Sequence, residues 1–177
     1  MARPREYLVI PVIAGLVLAL YAVCFGVSVL LRIPSDLALP WPVRLLGLVP
    51  GAYGGSMLVW VFRLRGPHAI VVSTWVTFLK LFGRAPLAAS AGRTEPLVIA
   101  GPYLLVRHPL YAGVDGLTVG IALLADHPWV YLGALALALW FSLVLAPFEE
   151  RELRALFGPA YDAYMRKTRR FLPVARR

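Results

Sequence analysis

The chain has 177 residues, 60% of them hydrophobic and only 15% charged, with a mean hydropathy of +0.74. This composition excludes an ordinary soluble domain and identifies an integral membrane protein. A formal net charge of +9 does not point to nucleic acid, because the basic residues flank apolar runs instead of forming one dense patch interleaved with aromatics; it fits positive-inside topology and contact with anionic headgroups.

Arg3 and Arg5 precede Tyr7 to Leu31, a stretch of 25 residues without a charge. A signal-peptide core runs to about 15 residues and a bilayer needs about 20, so this is a first transmembrane helix with its N-terminus in the cytoplasm. Cys24 lies in it and, as the single cysteine, forms no internal disulfide; it is read as packing. Arg32 to Arg44 is a short connection with Pro34, Pro40 and Pro42, followed by a second span, Leu45 to Phe62, whose end is marked by Arg63 and Arg65. Gly47, Gly51, Gly54, Gly55 and Ser56 give this span small residues for close helix contact.

Ala69 to Phe82 is apolar over only 14 residues. If it crossed, the basic segment with Arg84, Arg93 and Arg107 would move outside, whereas the connection at Asp126-His127-Pro128 lacks Lys and Arg and reads as external. An interfacial or re-entrant segment is therefore favoured, with His68 at its solvated edge. Residues 83 to 100 read as a cytoplasmic loop. Leu110 to Ala125 is the third span and Trp129 to Pro147 the fourth, with Trp129 and Tyr131 as interface anchors. Beyond it, Leu153, Phe157, Tyr161 and Tyr164 form one apolar face opposed by Arg151, Arg154 and Arg166. Gly158-Pro159 divides this stretch into two short helices expected to lie on the membrane surface and close the site. Arg169, Arg170, Arg176 and Arg177 are expected to bind headgroups. The predicted fold class is all-α: a polytopic transmembrane helical bundle of four spans, five if residues 69–82 also cross, with C-terminal interfacial helices and both termini in the cytoplasm.

Residues 101 to 113, GPYLLVRHPLYAG, stand out as a polar and aromatic knot leading into an apolar run. Gly101-Pro102 is a turn signal, and Pro109 suits the first turn of a helix beginning near His108. His108, Tyr111 and Asp115 then follow at spacings of three and four on one face, at the helix end that favours an anion. The competing reading has Arg107 and His108 snorkelling at the interface, with Tyr103 and Tyr111 in an aromatic belt. Asp115 lies one turn inside the third span, where a carboxylate is costly enough to require a structural partner or a function.

The pattern G-P-Y-x-x-x-R-H-P-x-Y-x-G resembles the signature of membrane-embedded methyltransferases that include isoprenylcysteine carboxyl methyltransferase and the phospholipid N-methyltransferases. A second block of that family, paired glutamates followed by F-G-x-x-Y-x-x-Y, has its counterpart in Glu149-Glu150 and Phe157-Gly158-Pro159-Ala160-Tyr161-Asp162-Ala163-Tyr164. The resemblance covers about residues 95 to 173 and implies S-adenosylmethionine as cofactor and a lipophilic or lipid substrate. It implies one membrane methyltransferase domain over 1–177, with N-terminal spans and an interfacial segment in 1–82 and the cofactor-binding catalytic core in 95–173. It further implies that Pro96, Leu97, Val98, Tyr103, His108, Pro109, Leu110, Tyr111 and Glu149 bind the cofactor, Glu149 pairing with its ammonium. Arg107, His108, Glu150 and Asp115 are the candidate catalytic residues. Such a transfer needs no metal and no nucleophilic side chain, and no metal-ligand or triad-like cluster is apparent.

The prenylcysteine enzymes resemble one another in an arginine four residues before the paired glutamates, facing the substrate carboxylate; here that position is Leu145. O-methylation of a prenylcysteine-like or other lipid acid therefore requires Arg107 or a tail cation instead, and N-methylation of a phospholipid amine requires a base such as Asp115, Glu150 or His108. Membrane sterol reductases carry a similar R-H-P-x-Y-x-G block and use NADPH, but continue differently from Glu149-Glu150 and Phe157-Gly158. A non-catalytic membrane protein that binds neither cofactor is the remaining alternative.

Overall fold

The computed structural model describes residues 7–83 and 97–173. Among them are eight α-helices: α1 (Val9–Leu30), α2 (Trp41–Leu45), α3 (Leu48–Arg65), α4 (Pro67–Leu81), α5 (Pro109–Ala125), α6 (Pro128–Trp140), α7 (Ala146–Phe157) and α8 (Pro159–Lys167). Six of them, α2 and α4 to α8, carry proline in their first two positions, where the missing N–H costs nothing and φ is already helical. The fold is an all-α bundle, as the sequence predicts.

Among the described residues, three helical stretches are long and apolar enough to cross a membrane: Val9–Leu30, Trp41–Arg65 and Pro128–Phe157. α5 has 17 residues and α4 has 15, both short of the roughly 20 that a bilayer needs. Much of α1 faces outward with apolar side chains, Leu18 being 72% and Leu30 80% exposed, a surface that suits lipid.

α3 and α5 make the closest helix pair, through glycines on both sides. A Cβ on Gly54 would lie 2.5 Å from the Leu117 amide nitrogen, and one on Gly120 2.7 Å from the Gly47 carbonyl oxygen. Backbone contact at this range is open only to glycine. α6 receives the Tyr21 ring of α1 at Gly133, and Trp129 meets Tyr21 and Phe25 edge to face. At the far end of α5, Asp126 adopts φ 60 and takes the Leu39 N–H on Oδ2 at 3.0 Å, Arg44 Nε donates to the Leu124 carbonyl at 3.1 Å, and His127 Nδ1 meets the Ser35 carbonyl at 2.7 Å. These bonds dock the connection between α1 and α2 against the α5 terminus.

The helix that begins as α6 continues through one π turn, Phe141–Leu145, into α7. Ala146 N–H bonds the Phe141 carbonyl five residues back, and the next residue, Pro147, has no N–H with which to repeat the pattern. That leaves the Ser142 carbonyl without its helical donor. α4 leaves α3 at Gly66 (φ 75) and is fastened to α7 by an ion pair, Lys80 Nζ to Glu152 Oε1 at 2.9 Å, with both side chains buried. Lys80→Met should remove the cation buried against Glu152 and lower stability by about 3–5 kcal/mol, whereas Lys80→Met with Glu152→Leu should recover most of that loss. Thermal unfolding in detergent reads both; a double variant as unstable as the single would refute the pairing as the cause.

Candidate functional site

Gly101 (φ 56) and Pro102 open a single 3-10 turn, Gly101–Leu104, whose first residue sits so close to Trp60 of α3 that a Cβ would come within 3.1 Å of the indole nitrogen. The chain then runs extended, and buried Val106 bridges to Arg169 of the tail in parallel. Arg107 N–H donates to the Arg169 carbonyl at 2.7 Å and His108 N–H to the Arg170 carbonyl at 3.0 Å. His108 is the N-cap of α5, with Pro109 at its first position, so the predicted helix start is where the structure has it.

His108 is buried between the paired glutamates. Its Nδ1 lies 3.4 Å from Glu149 Oε2 and its Nε2 3.3 Å from Glu150 Oε1. Burial by itself pushes His108 down, but the hydrogen bonds and negative charges of Glu149 and Glu150 outweigh it and hold the imidazole above its ordinary value. Glu149 also accepts from the Tyr111 hydroxyl at 2.8 Å and from Thr77 of α4 at 3.5 Å. Tyr111 stacks between His108 and Phe141.

Glu150 is the charge centre behind this pair. Arg107 Nε donates to it at 3.0 Å, and Arg170 forms a fork on it, Nε at 3.0 Å and Nη2 at 2.7 Å. The second nitrogen group of Arg107, Nη1, is taken by the carbonyls of Met165, at 3.1 Å, and Thr168. Arg170 Nη1 reaches the Ser142 carbonyl, the one Pro147 leaves open, at 3.4 Å. α8 closes the group: Tyr164 donates to the Tyr103 carbonyl at 2.7 Å, and its phenol is pushed up to about 12, chiefly by burial.

These residues face a cavity of about 790 Å³, inside the range of small-molecule sites. Leu97, Val98, Tyr103, Arg107, His108, Pro109, Leu110, Tyr111 and Glu149 all line it. Pro96 lies outside the described residues. Glu150 stands behind the wall and does not line the cavity, and Asp115 is not among the lining residues either. Two turns beyond His108, the cavity-facing residue of α5 is Val114, and Asp115 Oδ1 is buried with no hydrogen-bond partner among the described residues. Leu153, Phe157, Tyr161 and Tyr164, the predicted apolar face, also line the cavity.

Three contributors escape sequence reasoning. α1 lines the cavity with Ile13, Leu16, Val17 and Leu20; Thr77 comes from the short α4; and Arg170, expected to meet headgroups, clamps Glu150. The signal that could have exposed the α4 contribution is its polar stripe, Ser73, Thr74, Thr77 and Lys80, at helical spacing in an otherwise apolar segment.

Residues 67–160, more than half of the chain, match the family described as phospholipid methyltransferase. The chain is similar to two rice proteins, from Oryza sativa subsp. indica and subsp. japonica, each named probable protein-S-isoprenylcysteine O-methyltransferase. Identity is 37% over 78 residues in both, which is 44% of this chain and 40% of each relative, so the likeness spans less than half the length of these curated proteins. No solved structure matches the chain. The matched stretch runs from α4 through the knot and the paired glutamates into the start of α8, the elements that enclose most of the polar end of the cavity. This is an integral membrane protein, and it belongs to the phospholipid methyltransferase family.

Proposed function

We propose that the protein transfers a methyl group from S-adenosylmethionine to a lipophilic acceptor at the membrane. The observation that carries this reading is Glu149: a carboxylate, oriented by Tyr111, Thr77 and His108, on the wall of a largely apolar and aromatic cavity. An ammonium is the natural counterpart of such a group. The Tyr161 hydroxyl, buried in the lining of the same cavity with no hydrogen-bond partner among the described residues, offers a second polar contact to a ligand. These residues fit a donor that joins an amino-acid end to an apolar-tolerant body.

When bound, S-adenosylmethionine would supply an electrophilic methyl on its sulfonium. The chain's task is alignment and exclusion of water. Glu149 holds the ammonium; His108 and the start of α5 hold polar groups of the donor; Leu97, Val98, Tyr103, Pro109, Leu110 and Tyr111 form its walls. Arg107 on the cavity wall and Glu150 behind it form the charge framework. Ile13, Leu16 and Val17 of α1 line the apolar part, which suits the hydrocarbon of an acceptor.

An acceptor that is already an anion needs no base here, and the cation it requires is offered by Arg107, which lines the cavity. Glu150 is saturated by cations, His108 is held between two carboxylates, and Asp115 lies off the cavity, so none of the three is arranged to take a proton from an amine. O-methylation of a prenylcysteine-like or other lipid acid is accordingly the preferred reaction, ahead of N-methylation of a phospholipid amine. Isothermal titration of the detergent-purified protein with S-adenosylhomocysteine, with NADPH in parallel, tests the donor: micromolar binding of the first alone is expected, and binding of NADPH alone would replace this reading with a reductase. Radiolabelled donor then sorts the acceptor, because a methyl ester releases its label in base and an N-methyl group does not.

A further inference from the structure

The tail segment from Thr168 to Leu172 leaves α8 and returns to the knot. Its backbone receives the amide hydrogens of Arg107 and His108, and the Phe171 carbonyl accepts from the Tyr53 hydroxyl of α3 at 3.0 Å. The amide of His108 would otherwise be an unsatisfied donor at the head of α5. One tail residue acts twice on His108: the Arg170 carbonyl takes its amide, and the Arg170 guanidinium grips the carboxylate facing its ring.

We infer that Arg170 is a positioning residue of the proposed donor site, acting through Glu150 to fix the orientation of the His108–Glu149 pair. The inference rests on that donor-site reading. Glu150 does not touch the cavity, yet it collects two arginines as well as His108 Nε2. Both arginines bond Glu150, so Arg170 reaches the His108–Glu149 pair through that carboxylate. Only the imidazolium has a proton for each glutamate, and a neutral ring would turn a lone pair toward one of them. The cavity-facing orientation of Glu149 thus depends on the His108 proton, and Arg170 opposes that proton electrostatically while holding the ring geometrically.

The groups facing His108 are Tyr111 on its own helix, Glu149 and Glu150 on α7, the Phe171 ring of the tail at 5.9 Å, and, behind Glu150, Arg107 and Arg170. α8 brings Tyr161 beside the same charges, and α4 reaches the group through Thr77 on Glu149. Removing Arg170 deletes one positive charge from this set, so His108 should keep its proton to higher pH. A group acting only as a structural brace would leave that titration where it was.

The experiment is a pH titration of the histidine ring resonances of the full-length protein in detergent, His108 being assigned by its loss in His108→Gln, combined with S-adenosylhomocysteine binding at the same pH values. In Arg170→Ala the His108 midpoint should rise by ~1 pH unit and S-adenosylhomocysteine affinity should fall about tenfold. Arg170→Lys should restore the midpoint, because the charge returns, but not the full affinity, because an ammonium cannot reproduce the fork. Should Arg170→Ala fail to fold, Arg170→Gln, neutral but still a donor to Glu150, must show the same upward midpoint. An unmoved midpoint, or a moved midpoint with unchanged affinity, overturns the inference. Wild-type protein that binds no S-adenosylhomocysteine would instead sink the donor reading, and the clamp on His108 would still be decided by the midpoint.

Discussion

Glu149→Gln is expected to weaken S-adenosylhomocysteine binding by about 100-fold, close to 3 kcal/mol, while leaving the thermal unfolding midpoint nearly unchanged. The separation of the two effects follows from the geometry. Glutamine is isosteric and its carbonyl oxygen can still accept from the Tyr111 hydroxyl and from Thr77, so the local packing survives. What disappears is the negative charge on the cavity wall. The Glu149 side chain is 26% exposed, against 5% for Glu150, so it is the glutamate whose charge reaches the cavity. Glu150→Gln should behave oppositely: it strands two guanidinium groups, and a large drop in stability is expected before any effect on binding can be read. Undiminished affinity in Glu149→Gln would show that the pocket is wrongly placed, whatever the methyl donor is.

The order of these elements could be read from the chain because each rests on local chemistry. Apolar length marks α1 and α3, Pro109 marks the start of α5, and Gly158-Pro159 separates α7 from α8, as Gly158 with φ 49 confirms. The two glutamates and the knot were recognisable as a pair of blocks, although nothing in either block says that His108 sits between both carboxylates. That arrangement depends on the register of α7 against α5, which is set by tertiary packing. Arg170 illustrates the same limit more sharply. In sequence it is one of a run of terminal cations, and only the parallel pairing of Val106 with Arg169 turns it toward Glu150. Asp115 shows the reverse error: spacings of three and four from His108 and Tyr111 put it on their face, but at that height the residue that lines the cavity is Val114. Adjacent helical residues differ by about 1.5 Å along the axis and about 100° around it, so the cavity meets one edge of the face and Asp115 turns away from it.

Gly54→Ala should be the most damaging single-methyl change in the chain, and Gly26→Ala the matched control. Both put one Cβ into a helix of the membrane region, and both gain intrinsic helix propensity. On α1, a Cβ at Gly26 meets nothing within 4 Å. On α3, a Cβ at Gly54 would lie 2.5 Å from the Leu117 amide nitrogen and 2.8 Å from the Gly116 carbonyl carbon, against backbone that has no rotamer to yield. The helices must part, and with them the reciprocal contacts of Gly113, Gly116 and Gly120 with Leu58, Pro50 and Gly47. Overpacking of this kind costs about 3 kcal/mol, which for a chain of this size lowers the melting temperature by about 6–12 °C. Gly26→Ala should leave it unchanged or raise it slightly. Because α5 begins at His108, separating it from α3 also moves the head of the helix that carries the site, so Gly54→Ala should lose S-adenosylhomocysteine affinity although it touches no lining residue. Equal melting temperatures for the two variants would mean that α3 and α5 do not pack through their glycines, and the placement of His108 against the paired glutamates would lose its foundation.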